Sequence, residues 1–252
     1  MSFVVPGDAY DRFVGRYSRL LAPRFVDFAR VGAGPVLDLG CGPGALTAEL
    51  AARHGADRTA AVDPSEPFVA ACRARVPGAD VRLGAGEALP FPDAHFGGVL
   101  SQLVLSFVKD PGRTISEVRR LLRPGGVVAV CSFEERGFEL ARTFWEVALK
   151  LDPAAPDDAR LPFRHLEPML ALLRGAGFSD VSSGLIEFDV GYEGFDALFE
   201  PLLQGVGPPG AWLAAQPEPV RAAMREGWFE RLGRPTGPFS LHAMVLAVRG
   251  VA

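Results

Sequence analysis

Two hydrophobic periods divide the chain between them. Short apolar runs at Val36–Leu39, Arg58–Asp63, Asp80–Leu83, His95–Gln102, Val127–Ser132, Leu185–Val190 and Ser240–Arg249 predict strands. Amphipathic spacing predicts helices over Ser18–Arg30, Ala45–His54, Pro111–Leu122, Phe138–Leu151 and His165–Gly175, with shorter ones near Phe195–Leu203 and Pro219–Leu232. Another helix opens at Pro64-Ser65-Glu66, where proline's missing N–H costs nothing. Strands that alternate with helices and are apolar on both sides predict an α/β fold with a parallel sheet covered on both faces.

The first strand, Val36-Leu37-Asp38-Leu39, runs into Gly40-Cys41-Gly42-Pro43-Gly44 and then the Ala45–His54 helix. Glycines tolerate positive φ and admit a ligand close to the backbone. The helix behind them presents free N–H groups and a positive dipole end. Asp38 interrupts the strand's apolar run, so it needs a partner or a place near the strand end. The spacing is G-x-G-x-G without a lysine, which fits neither the dinucleotide fingerprint nor the phosphate loop well. A turn that uses glycine for geometry alone is the competing reading. Asp63 closes the second strand about 20 residues on, the distance at which a βαβ unit offers a carboxylate to ribose hydroxyls. Its competing reading is a cap for the helix at Pro64-Ser65-Glu66.

Composition narrows the classes. The 252 residues are 48% hydrophobic, enough to bury one α/β core, and the net charge of −4 disfavours a nucleic-acid partner. Cys41, Cys72 and Cys131 are odd in number and lack metal spacing, which implies free thiols and a cytoplasmic location. No signal pattern opens the chain, and no apolar window is long enough for a membrane span.

The segment Val36-Leu37-Asp38-Leu39-Gly40-Cys41-Gly42-Pro43-Gly44 resembles the S-adenosylmethionine (SAM) loop of class I methyltransferases. It is most similar to the methyltransferase type 11 group, which includes the ubiquinone/menaquinone C-methyltransferase-like proteins. Later segments extend the resemblance over nearly the whole chain. It implies a Rossmann-like, seven-stranded, mostly parallel sheet with an antiparallel last strand, helices on both faces and small helical lid insertions. Residues 1–252 would form one domain, with an N-terminal arm and helix at 1–30 and lid or acceptor-pocket insertions at 133–162 and 191–238.

The same resemblance implies SAM as cofactor. Tyr10 and Arg16 of the arm would hold the methionine carboxylate. Asp38, Gly40, Cys41, Gly42 and Gly44 would orient the methionine part, and Asp63 with Pro64 and Ser65 the ribose. Ala85, Gly86 and Glu87 would meet the adenine. Ser101, Gln102 and Ser106 lie at or past the carboxyl end of the fourth strand, where parallel sheets place ligands. The chain departs from the family pattern at Ala85 and Gly97, where aspartate is usual, and at Ser106, where many relatives carry histidine.

Methyl transfer needs alignment and exclusion of water rather than a metal. No His, Cys, Asp and Glu cluster has ligand spacing, because His54, His95, His165 and His242 are scattered. His165 and Glu134 are candidate bases, though solvent-facing roles for both compete. Phe138, Trp145, Phe199, Trp212, Trp228 and Phe229 fit an apolar small-molecule acceptor, or simply the lid's own core. Oligomeric state, a homodimer included, is open. An adenosyl-binding protein without transfer activity and a nicotinamide-dependent oxidoreductase are the rival readings.

Overall fold

The computed structural model describes residues 7–157 and 161–252, with side chains from Phe13 onward. In chain order the elements are α1 (Gly7–Ala29), β1 (Val36–Leu39), α2 (Ala45–His54), β2 (Thr59–Asp63), α3 (Glu66–Arg75), β3 (Asp80–Leu83), β4 (Phe96–Gln102) and α4 (Pro111–Leu121). There follow β5 (Leu122–Phe138), α5 (Glu139–Leu151), α6 (Leu166–Gly175), β6 (Ser179–Tyr192), α7 (Phe195–Phe199), α8 (Gly207–Ala214), α9 (Glu218–Arg231) and β7 (Phe239–Val251).

The strands form one seven-stranded sheet in the order β3-β2-β1-β4-β5-β7-β6. β1 to β5 pair in parallel, and β7 runs antiparallel to both β5 and β6. Asp38 lies beside Ala61 of β2 and Leu100 of β4, so the exits of β1, β2 and β4 open side by side. The strand order reverses direction at β1 and β4, which is where an open α/β sheet leaves a crevice beyond its carboxyl ends.

Side-chain alternation sorts residues between two cores. On β5, Ala129, Cys131 and Phe133 join the core beneath α1, α2, α5 and α7 to α9, while Val128 and Val130 join the core beneath α4 and α6. On β1, Val36 goes to the first core and Leu37 and Leu39 to the second, which aims Asp38 at the α1 and α2 side. A third cluster, Cys41, Ala61, Val69, Cys72 and Val81, seats α3.

Most of the large aromatics behind β5 pack on one another in the first core. Trp228 is fully buried, makes edge contact with Phe144 at 5.3 Å and donates from its indole N–H to Thr143 Oγ1 at 2.9 Å. Trp145 and Trp212 contact each other at 6.1 Å, and Phe195 packs on both Phe199 and Phe229. Of the six bulky residues offered as acceptor contacts, Phe138 lines the larger cavity described below, and the other five pack on their neighbours.

The sequence reading starts the first helix at Ser18, whereas α1 begins at Gly7 and takes in the arm. Tyr17 of this helix is buried and shares a 2.9 Å hydroxyl–hydroxyl hydrogen bond with Tyr192 of β6. Tyr17→Phe leaves the buried Tyr192 hydroxyl unpaired, so urea unfolding is expected to show a loss of about 1–2 kcal/mol.

At Gly97, where the family pattern has aspartate, the backbone lies under Arg123. A Cβ there would sit 2.6 Å from the Arg123 guanidinium and 3.1 Å from the Ala33 carbonyl oxygen. Arg123 itself donates to Ala33 O across this gap. An aspartate there would have to displace the flexible end of the Arg123 side chain.

Candidate functional site

The glycine turn takes left-handed backbone at all three glycines, with φ of 76° at Gly40, 52° at Gly42 and 91° at Gly44. Two of them are small because the protein fills the space. A Cβ on Gly40 would lie 2.5 Å from Val104, and one on Gly44 would lie 2.8 Å from Cys72 Sγ. Ligand approach is therefore not what demands glycine at these two positions.

The turn is tied to the neighbouring strand. Gly40 N and Cys41 N donate to the Val62 carbonyl at 2.8 and 3.1 Å. Gly42 N donates to Asp63 Oδ2 at 2.9 Å, and Ser65 N to Asp63 Oδ1 at 2.8 Å. One carboxylate thus braces both the glycine turn and the entry to α3. Each of its oxygens retains a second lone pair for a ligand hydroxyl. Burial pushes the Asp63 carboxyl up in pKa, opposed by the two backbone N–H groups.

Asp38 is buried and accepts a 2.6 Å hydrogen bond from Thr47 Oγ1 of α2. Burial raises its pKa to about 7, against the lowering effect of Thr47 and with a further push from Asp63. It lines a cleft of about 340 Å³ of empty space together with Gly15, Ser18, Gly40, Gly42 and Gln102. Gln102 donates from Nε2 to the Ser18 carbonyl at 3.2 Å, while its buried Oε1 has no hydrogen-bond partner among the described residues. The cleft therefore offers a carboxylate and an unsatisfied amide oxygen, a donor-seeking pair suited to an ammonium group. Cys41 also lines it. Ser101 faces inward instead, its hydroxyl donating to Leu39 O at 3.0 Å and tying β4 to β1.

The loop after β3 lies next to Asp63, with Gly84 N donating to the Asp63 carbonyl at 3.0 Å. Ala85 and Pro64 are exposed on this side, and Leu83 is 54% exposed. Gly86 is buried against Thr114, where a Cβ would sit 2.8 Å from the methyl carbon. Glu87 Oε1 accepts from Lys109 N and Asp110 N at 2.9 and 3.1 Å, which fixes the approach to α4.

A second, larger cavity of about 710 Å³ of empty space lies on the other side of α1. Phe13, Val14 and Tyr17 of the helix face this cavity, while Gly15 and Ser18 face the cleft. Gln102 borders the cleft and the next residue, Leu103, the cavity. Leu103 holds a left-handed φ of 62°, with its N–H on Cys131 O at 3.1 Å. Such backbone is uncommon for a bulky residue and gathers at ligand clamps. Ser106 lines the cavity, and its hydroxyl donates to Pro162 O.

Three sequence candidates lie elsewhere. Arg16 is turned toward the sheet edge, stacked 5.0 Å over Tyr192 and donating to Gly191 O at 3.2 Å. Its reach is spent on β6, not on the glycine turn. Glu134 Oε2 accepts from Arg136 N and Gly137 N at 2.8 and 2.6 Å, closing the bend within β5. His165 is 61% exposed and sits 3.6 Å from Glu135. Neither base candidate borders the cavity. The Tyr10 side chain lies outside the described residues. Gly15, Ser18, Leu103, Ser132 and Arg164 border the two spaces without having drawn attention as sequence.

This strand order, with the antiparallel β7 inserted before the edge strand, is the Rossmann-like architecture of class I SAM-dependent methyltransferases. Residues 37–130, which hold the glycine turn and Asp63, match the family model described as "Methyltransferase domain". Over 126 residues the chain is 36% identical to a "Probable S-adenosylmethionine-dependent methyltransferase" of Mycolicibacterium smegmatis, covering 50% of this chain and 48% of the relative. It is 31% identical over 179 residues to the "Probable methyltransferase ltbC" of Aspergillus luteorubrus, covering 62% and 60%. The chain spans about half the length of the curated relatives it matches. Among solved structures, the phosphoethanolamine N-methyltransferase 2 of Haemonchus contortus, in complex with phosphomonomethylethanolamine and S-adenosylhomocysteine, superposes with a TM-score of 0.58 at 19% identity. That match covers 97% of this chain and 56% of the other and shows the shared fold. No helix among the described residues is long and apolar enough to cross a membrane.

Proposed function

We propose that the protein is a SAM-dependent methyltransferase acting on a small, largely apolar molecule. The observation that carries this reading is the 2.9 Å bond from Gly42 N to Asp63, which joins the glycine turn and the acid closing β2 into one cradle. Asp63 would take the ribose hydroxyls on its remaining lone pairs. Asp38 and Gln102 Oε1 would take the α-ammonium, with the backbone of Gly40, Cys41 and Gly42 around the methionine part. Pro64, Leu83, Ala85 and Gly86 would flank the adenine, with Gly86 N rather than an aspartate as the polar contact.

Bound SAM supplies an electrophilic methyl group on a sulfonium. The chain's own task is alignment and exclusion of water. α1 walls the cleft on one face and the cavity on the other, so a single helix positions donor and acceptor. Leu103 stands where the two spaces adjoin. Among the described residues, none that lines the cavity is a histidine or a carboxylate.

Titration calorimetry with SAM, followed by mass detection of methylated products from a metabolite extract, tests this reading. One-to-one SAM binding and a product 14 mass units heavier than its precursor are the outcomes expected from adding CH2. NADH binding with none for SAM would overturn it in favour of the oxidoreductase reading.

A further inference from the structure

Two of the chain's cysteines meet behind the glycine turn. Cys41 stands within the turn, is 7% exposed and borders the cleft. Cys72, fully buried on α3, packs in the same small cluster, and the two thiols share a hydrogen bond. The Cys72 sulfur is wedged under the turn, in the space that a Cβ on Gly44 would need. Cys131 belongs to the first core, on β5.

Hydrogen bonds run on from this pair to the carboxylate of the cleft. Cys72 Sγ donates to Thr47 Oγ1 at 3.4 Å, and Thr47 Oγ1 donates to Asp38 Oδ2 at 2.6 Å. A proton leaving Cys72 therefore has a route to Asp38. The hydrogen bond from Cys41, helped by the one to Thr47, holds the Cys72 pKa below the ordinary thiol value against the effect of burial. A lowered thiol pKa favours the thiolate, which is the reactive form.

We propose that Cys41 and Cys72 form a peroxide-responsive pair whose disulfide distorts the glycine turn and weakens its hold on SAM. This names a regulation of the methyltransferase site and rests on the assignment of the turn to SAM. Peroxide enters by the cleft. The Cys41 sulfur takes one oxygen of hydrogen peroxide and becomes a sulfenic acid, and the other oxygen leaves as water. The Cys72 sulfur then attacks Cys41 Sγ, and its proton passes through Thr47 to Asp38. Hydroxide leaves Cys41 and recovers a proton as the second water. The two thiols lose two electrons in all, and the peroxide gains them. To bond, the sulfurs must close from hydrogen-bond contact to about 2.05 Å. Cys41 N is held on Val62 O at 3.1 Å and the next N–H, Gly42, on Asp63 at 2.9 Å. Drawing Cys41 toward α3 strains both bonds.

Peroxide-treated full-length chain, alkylated and digested, is expected to yield a peptide pair joined through Cys41 and Cys72, with Cys131 recovered as alkylated thiol. SAM titrated calorimetrically should bind at least about tenfold more weakly than to the reduced protein, and dithiothreitol should restore the affinity. Cys72→Ser should bind SAM as the unmodified protein does and keep that affinity after peroxide. Failure of this disulfide to form, its formation without loss of affinity, or an equal loss in Cys72→Ser would overturn the proposal. Should Cys72→Ser fail to fold, reversal by dithiothreitol in the unmodified protein decides. Amide hydrogen exchange over residues 40–44 reads the turn without SAM and should quicken on oxidation; an unchanged rate would also overturn it. Reduced protein that binds no SAM, with disulfide and exchange as expected, would sink the methyltransferase reading and leave the thiol pair's grip on the turn standing.

Discussion

Asp63→Ala is expected to reduce SAM affinity at least about a hundredfold, roughly 3 kcal/mol. Two losses combine. The charge-assisted bonds to the ribose go, at about 1–3 kcal/mol. Gly42 N and Ser65 N lose their acceptor as well, which loosens the glycine turn proposed to hold the methionine part. Asp63→Asn keeps one oxygen and should fall between the two, because an amide can satisfy one N–H but presents its NH2 to the other. Calorimetric titration of SAM into the three proteins reads the series. Unchanged affinity in Asp63→Ala would remove the residue from the binding site and leave it only as a brace between the glycine turn and α3.

Asp38 should produce two effects of opposite sign. Its pKa in the folded protein is about 7, against an ordinary 3.8. A carboxyl with a raised folded pKa stabilises the protein fully below its unfolded pKa and loses that contribution as pH rises toward its folded pKa. Between pH 5 and 7 the folded chain keeps a proton that the unfolded chain has released, a cost of about 1.4 kcal/mol per pH unit. Asp38→Asn does not titrate. Its stability relative to the unmodified protein should therefore rise by about 3 kcal/mol over that window, measured by urea unfolding without ligand.

SAM binding should move the other way. The α-ammonium favours the carboxylate, so affinity in the unmodified protein should climb by up to about tenfold per pH unit toward pH 7 and then level off. Asp38→Asn should bind weakly and show little of this slope. A variant that is steadier yet binds worse is what an active-site carboxylate predicts. A pH-independent affinity in the unmodified protein would take Asp38 out of contact with the ligand's charge.

The parts legible in the sequence share a local cause. The helix expected over Ala45–His54 and the strand over Asp80–Leu83 have the observed bounds, because glycine and proline punctuate both ends and the periods between are clean. Asp63 could be placed from spacing alone because a βαβ unit has a nearly fixed length. α8 went unseen since Gly207-Pro208-Pro209-Gly210 reads as a loop, yet prolines at a helix start cost little.

The direction Arg16 takes toward β6 has a rotational explanation. Gly15 and Ser18, three residues apart, share one face of α1, while Arg16 is turned about a hundred degrees away onto β6. Had the arm been read as helix from Gly7, that period would have pointed to Ser18 instead. Arg164 could not be found from sequence at all. A lone arginine after Leu161-Pro162-Phe163 resembles any solvated residue, and only the fold of β5 brings Phe133 and Phe138 against it.

The most direct test of the central claim is a crystal structure with S-adenosylhomocysteine. It should show the ribose hydroxyls on Asp63, the amino acid end beside Asp38 and Gln102, and the sulfur facing the cavity across Leu103. The ligand lodged elsewhere, or Asp63 turned away from it with only Gly42 and Ser65 as partners, would contradict the account.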